Sequence, residues 1–336
     1  MKTYNLYAVA TVLLMLFTNL AASIAQDQEF SAKQERQLLE VFQLIGEQQE
    51  LTDNFELIKA VKVGTRVMST FEELLGANHQ HTATSMSKLA DLYQSLGECE
   101  KALPLYIRSL EIYEETIGPQ HLFTAANLNN LAELYRTLEE YEKALPLQKR
   151  ANDIFEEQYG SDHPETALGW NNLGLILTKQ GDYEKAITLF EQSLDVCEKS
   201  LGPDHPDVAL VLNNLGGTYS DQGEILKAIP ILKRALVSRE NRLGPSHPQT
   251  ATTLHNLAVA HEKNGELANA RQLYSRALEI RETVLGVEHP STIESLTNLM
   301  LFYRSQGNFE KATLFKRRID SIRKSESERE HGYQSK

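Results

Sequence analysis

Six histidines stand 42 residues apart, at His79, His121, His163, His205, His247 and His289. Histidine is the commonest metal ligand and the side chain that titrates near neutral pH, so a regular series of them first suggests a metal site. The spacing argues against it. Equivalent helices packed side by side put such rings about 10 Å apart, whereas zinc holds its ligands at about 2 Å. The histidines are therefore read as helix-start and inter-repeat loop residues, and no metal or other cofactor is expected. Cys99 and Cys197 lie about two repeats apart, roughly 20 Å by the same packing distance. A disulfide needs Cα atoms within about 7 Å, so both are read as free thiols. No phosphate loop, nucleophile elbow, His-Glu-x-x-His or Cys-x-x-Cys occurs, and the expectation is a chain that is not an enzyme.

A second series is formed by Asn130, Asn172, Asn214, Asn256 and Asn298, each directly before a core leucine of a helix. Asparagine is a mediocre helix former, so five of them at mid-helix need another reason. Lys88 takes the place in the first copy, with Asp91 three residues on. The residues three past the later rungs are Glu133, Leu175, Gly217, Val259 and Leu301.

The elements that carry both series repeat without insertion or deletion. Gly-x-x-His recurs at Gly76/His79 through Gly286/His289, and a period of 42 residues implies stacked helix pairs rather than one central core. The first helix of each copy has an apolar stripe at i, i+3, i+4 and i+7, such as Leu128, Leu131, Ala132 and Tyr135. Trp170 occupies the leading stripe position of its copy and is read as core. Gly174 and Gly216 stand inside helices, where glycine costs about 1 kcal/mol against alanine, and so mark close helix approaches. Ala102, Ala144, Ala186, Ala228, Ala270 and Ala312 play the small partner in the second helix. The turn between helices carries Gly97, Gly181, Gly223, Gly265 or Gly307, as a left-handed residue prefers. Glu139 is the exception, where strain or a shifted turn is expected.

These spacings divide the chain into a degenerate N-terminal cap at 34–75 and repeats at 76–117, 118–159, 160–201, 202–243, 244–285 and 286–324. A polar tail at 325–336 is expected to be disordered. Residues 1–25 read as a signal peptide: Lys2, an apolar run over 6–17, and Ser23-Ile24-Ala25 as the cleavage site, followed by a linker at 26–33. Export follows, to the periplasm in a Gram-negative bacterium and otherwise by secretion. The competing reading is an uncleaved membrane anchor. Cleavage leaves no membrane embedding. A formal net charge of −12 argues against nucleic acid as the main partner.

The residues Trp170, Leu173, Gly174, Leu177, Gly181, Ala186 and Phe190, with their counterparts in the other copies, resemble the tetratricopeptide repeat. The Leu-Asn-Asn-Leu and Gly-x-x-His-Pro phrases and the 42-residue length are similar to the kinesin-light-chain subtype. The resemblance implies an all-α fold, a right-handed α-solenoid of antiparallel helix pairs. It also implies a binding module without catalysis. In such proteins the position of Asn130, Asn172, Asn214, Asn256 and Asn298 faces a concave groove and holds the backbone of an extended peptide. Glu133, Leu175, Val259 and Leu301 would then line the groove, and the partner would be a protein or peptide. Rungs about 10 Å apart meet an extended chain, which rises about 3.3 Å per residue, at every third residue. The alternative is that the amides bond neighbouring helices and shape the superhelix, the protein serving as a scaffold or assembly factor of an envelope complex through its convex face or ends. Relatives that clamp an acidic C-terminus carry Lys or Arg four residues before the rung. Ala126, Leu168, Leu210, Thr252 and Glu294 stand there, so the chaperone type of clamp is not expected.

Overall fold

A computed structural model describes residues 31–334, and the signal-peptide expectation for 1–25 lies outside them. Fourteen α-helices and no strand make up the described residues. The capping pair is α1 (Ala32–Asp53) and α2 (Leu57–Leu75). The six repeats follow as α3 (Gln80–Ser95) with α4 (Cys99–Thr116), α5 (Leu122–Thr137) with α6 (Tyr141–Tyr159), and α7 (Pro164–Gln180) with α8 (Tyr183–Leu201). They continue as α9 (Pro206–Gln222) with α10 (Ile225–Arg242), α11 (Pro248–Lys263) with α12 (Leu267–Val284), and α13 (Pro290–Ser305) with α14 (Phe309–Gln334). The architecture is the all-α solenoid expected from the period. Two boundaries differ. The first helix begins at Ala32, inside the expected linker, because Ser31 and Gln34 form a reciprocal capping box. The last helix runs on to Gln334 through most of the stretch expected to be disordered; Glu326, Glu328, Arg329, Glu330 and Gln334, half of that extension, are good helix formers.

Each helix packs on its predecessor, and the first helices of the first five repeats also touch one another in succession. The first helices therefore form the narrower, concave wall and the second helices the outer one. The small residues set that curvature. A Cβ added at Gly174 would lie 2.9 Å from the Phe190 ring, and one at Gly216 would lie 2.6 Å from Leu232 Cγ. Ala102, Ala144, Ala186, Ala228 and Ala270 are fully buried opposite. Trp170 packs against the cluster of Phe190, Cys197 and Leu212.

The turn of each repeat closes with the same pair of hydrogen bonds whether or not glycine is present. Gly97 N–H donates to Gln94 O at 2.9 Å and Glu98 N–H to Tyr93 O at 2.8 Å; Glu139 N–H and Glu140 N–H repeat the pattern at 3.1 and 2.8 Å. Glu139 consequently sits at φ 61°, and Phe55, its counterpart in the cap, at φ 59°. The turn is not shifted, and the strain of a left-handed side-chain-bearing residue, about 1–2 kcal/mol, is accepted in place.

The six histidines prove to be helix N-caps. Each accepts, through Nδ1, the backbone N–H two residues on, at 3.1–3.2 Å. Three residues past His79, His121, His163, His247 and His289, a threonine hydroxyl (Thr82, Thr124, Thr166, Thr250, Thr292) donates back to the carbonyl of the preceding loop glycine at 2.8–2.9 Å. In the fourth repeat the residue is Val208, fully buried, and Gly202 O lacks this partner. Val208→Thr should restore the bond at constant shape and stabilise the protein by about 1 kcal/mol. A thermal melt checks it; an unchanged or lower melting temperature would mean that the loop geometry differs there.

The superhelix closes on itself after about four and a half repeats. His289 Nε2 lies 3.2 Å from Ser95 O, 194 residues away in sequence. Beside it, a Cβ at Gly97 would come within 2.8 Å of Pro290 Cγ. The Phe55 ring meets His247 edge-on, with centroids 5.8 Å apart. The turn edge of the first repeats thus touches the helix-start edge of the last, which gives Phe55 a role glycine could not fill.

Candidate functional site

The concave wall carries a continuous run of side-chain amides. Asn130 lines one recess of this wall and Asn172 and Asn214 another, and the first partners of these three and of Asn256 are within the protein. Asn172 Nδ2 donates to Asn129 Oδ1 at 2.9 Å, Asn214 Nδ2 to Asn171 Oδ1 at 2.9 Å, and Asn256 Nδ2 to Asn213 Oδ1 at 3.1 Å. Within repeats, Asn129, Asn171 and Asn213 donate in turn to Asn130, Asn172 and Asn214, at 3.4, 3.0 and 3.2 Å. Asn130 Nδ2 then donates to Asp91 Oδ1 at 3.1 Å, which also accepts from Tyr106 Oη. Seven asparagines therefore form one relay that ends on a carboxylate. Burial pushes the Asp91 carboxyl above its usual range, against the hydrogen bonds and Lys88, which pull it down.

The relay stops at Asn256 because His255 and Thr297 replace the inner asparagine in the last two repeats. His255 Nδ1 is buried without a hydrogen-bond partner, and burial lowers that imidazole's pKa. Asn298 stands in register with the other rungs but outside the relay. The inner members Asn171 and Asn213 are 1% and 4% exposed; the outer ones, Asn172 and Asn214, are half-buried. An amide has two N–H donors and an oxygen with two lone pairs. The relay uses one donor and one lone pair of Asn172 and of Asn214, leaving one of each free of it.

Two recesses open on this wall. One, about 440 Å³, lies between Asp91, Tyr106, Asn130 and Glu133, and reaches Ser291 across the closure of the superhelix. The other, about 330 Å³, is lined by Asn172, Asn214, Leu175, Leu210, Thr252 and Arg239, and also by the Glu133–Arg136 pair. Glu133 and Arg136 pair through both nitrogens of the guanidinium edge. Leu175 also packs on the core behind, Val259 packs on the last core cluster, and Leu301 is 40% exposed. Glu133 and Leu175 thus share a recess with the asparagines, while Val259 and Leu301 lie beyond it. Sequence reasoning missed Arg239, which reaches the recess from a second helix, and missed the inner asparagines. The doubled Asn-Asn was their signal.

Among the described residues no three His, Cys, Asp or Glu side chains converge as a metal site, and no helix is long and apolar enough to cross a membrane.

Stacked helix pairs, a concave wall of first helices and a polar groove along it define an α-solenoid of the kind that serves protein interaction. Tetratricopeptide-repeat profiles match residues 51–115, 82–157, 123–174, 165–241 and 249–319, and a second profile of the same description matches 213–283. The chain belongs to the tetratricopeptide-repeat family. No curated protein matches it. Among solved structures, a Rap protein complexed with Competence and Sporulation Factor is similar, with 17% identity over 93% of this chain and 81% of that one at a TM-score of 0.68. BtubC (BKLC) from P. vanneervenii has 20% identity over 70% of this chain and 91% of that one, at 0.51. A putative kinesin light chain from Podosopora anserina with nearly identical TPR-like repeats has 24% identity over 61% and 97%, at 0.49. At these identities the likeness is one of fold.

Proposed function

We propose that the protein is a non-enzymatic, exported interaction module that holds an extended peptide or protein segment in its concave groove. The observation that carries this reading is the spare hydrogen-bonding capacity of Asn172 and Asn214, which line a recess together with the apolar Leu175 and Leu210. A half-buried amide with one donor and one acceptor left suits a peptide backbone, which offers both at each residue. Each bond adds about 0.5–1.5 kcal/mol, a sequence-tolerant grip. The Rap protein, whose fold is similar, forms a complex with a factor, and that supports a solenoid of this shape as a binder.

Capture of partners from the native compartment tests the reading. Asn172→Ala combined with Asn214→Ala should reduce capture at least about fivefold, the worth of two such bonds. Val237→Ala, on the exposed outer face of α10, should leave it unchanged. Undiminished capture by the groove variant, or loss in the outer variant alone, would favour the convex-face scaffold instead. Export rests on Lys2, the apolar run and the Ser23-Ile24-Ala25 site. The N-terminus of the mature chain should read Gln26; an intact Met1 in the membrane fraction would show an anchor.

A further inference from the structure

Arg239 is a buried cation without a counter-charge. On α10, it is 2% exposed. Its Nη1 donates to Gln249 O at 2.6 Å and to Thr253 Oγ1 at 2.7 Å, and its Nε has no hydrogen-bond partner. No carboxylate among the described residues forms an ion pair with it. Burial pulls the guanidinium down to about 10, and its charge helps to lower the pKa of His247.

The next repeat shows what is missing. Arg281 holds the equivalent place, 4% exposed, and donates to Ser291 O and Ser295 Oγ, both at 2.8 Å. It has in addition a carboxylate, Glu294 Oε2, at 3.2 Å. The residue 42 before Glu294 is Thr252. The chain therefore supplies the anion in one repeat and withholds it in the other, where Arg239 and Thr252 both line the groove recess. The other cation at that recess, Arg136, is already paired with Glu133. A buried guanidinium without its partner is costly, and a ligand that brings a carboxylate removes the cost.

We propose that Arg239, Thr252 and Asn214 form a subsite that receives a carboxylate carried by the peptide in the groove. The subsite rests on the peptide-binding reading above. It differs from the chaperone clamp, whose cations stand on first helices: here the charge comes from a second helix, reaching between α9 and α11. The carboxylate can be a C-terminus or an Asp or Glu side chain, since the guanidinium fork binds both alike.

Three degenerate pools of N-acetylated peptides, about ten residues long, separate the cases on the immobilised full chain: free acids lacking Asp and Glu, amides containing them, and amides lacking them. One of the first two pools should be retained at least about tenfold over the third, as one charge-assisted hydrogen bond warrants, and which one names the source. Thr252→Glu, which copies the Arg281–Glu294 arrangement, should erase the preference without lowering the melting temperature. Arg239→Gln should erase it too, with melting followed as a check on folding. Equal retention of the three pools would overturn the subsite and leave the peptide groove standing. Retention of none would overturn both. A preference that survives Thr252→Glu in a folded protein would remove Arg239 as its cause.

Discussion

Lowering the pH from 7 to 4.5 should depress the melting temperature steeply, before most exposed carboxylates titrate. The cause is a set of partly buried histidines: the caps His79, His247 and His289, and His81 beside the first of them. Each of these caps must keep Nδ1 unprotonated to accept its helix N–H, and a proton there would also place positive charge at the positive end of a helix dipole. Burial holds His79, His247 and His289 below 6.5, and burial followed by repulsion from His79 lowers His81 to about 4. In the unfolded chain these groups return to about 6.5, so between that value and the folded pKa the unfolded state binds more protons. The stability is complete above pH 6.5 and is lost as the pH falls through the window. His81 alone contributes about 1–2 kcal/mol after allowance for its partial exposure. Asp91 acts in the opposite sense, because its raised carboxyl is relieved by protonation. Melts from pH 7 to 4.5 check the slope. The change His79→Asn, His81→Asn, His247→Asn and His289→Asn keeps an acceptor at each of the three caps, removes all four titrating rings and should flatten the curve. An equally steep curve in that variant would assign the effect to other groups.

Cutting the amide relay at its buried members should be among the most damaging small changes in the groove wall. Asn171→Leu with Asn213→Leu removes four hydrogen bonds, each member having one donated and one accepted. At about 1 kcal/mol net apiece the loss is about 4 kcal/mol, a drop of roughly 8–15 °C in melting temperature for a chain of this size. Leucine fills nearly the same volume, so the loss reports the bonds rather than a cavity. A double-mutant cycle of Asn213→Leu against Asn256→Leu should show coupling of about 0.5–1.5 kcal/mol between residues 43 apart in sequence. Strict additivity would mean that the two amides do not depend on each other. The relay also changes what the groove variants mean. Asn172→Ala and Asn214→Ala also remove four relay bonds, with Asn129, Asn171 and Asn213, so a fall in melting temperature comparable to that of the buried pair accompanies any loss of capture. The peptide-binding and architectural readings of the rungs are compatible, because each amide has atoms for both.

The helix pairs, their order and the small residues between them were legible because they follow from local periodicity. Gly174 and Gly216 reported close approach, and Phe190 and Leu232 supply it. The capping role of the histidines was half legible: their place at helix starts was plain, but the Nδ1 acceptor depends on a rotamer. The threonine bonds went unread, although Thr82, Thr124, Thr166, Thr250 and Thr292 recur as regularly as the histidines. The inner asparagines were hidden for a different reason. A helix puts adjacent residues about 100° apart, so neighbours in sequence suggested different faces, yet the two amides meet at the edge between repeats. Arg239 was invisible because its meaning lies in a comparison of Thr252 with Glu294, across repeats and between helices. The contacts of His289 with Ser95 and of Phe55 with His247 sum small rotations over several repeats, and no single window of sequence contains them.

That closure bears on how the molecule comes apart. In an open stack each repeat leans only on its neighbours, and unfolding can start at an end and travel inward like a zipper. Here the cap and the first repeat are braced by the fifth and sixth, through contacts as far as 194 residues apart. The two ends of the array are consequently tied to one another. Fraying at either opens the Gly97–Pro290 approach and the Phe55–His247 ring pair, a cost that an open stack does not carry. The array pays for this with the slower search that distant contacts demand.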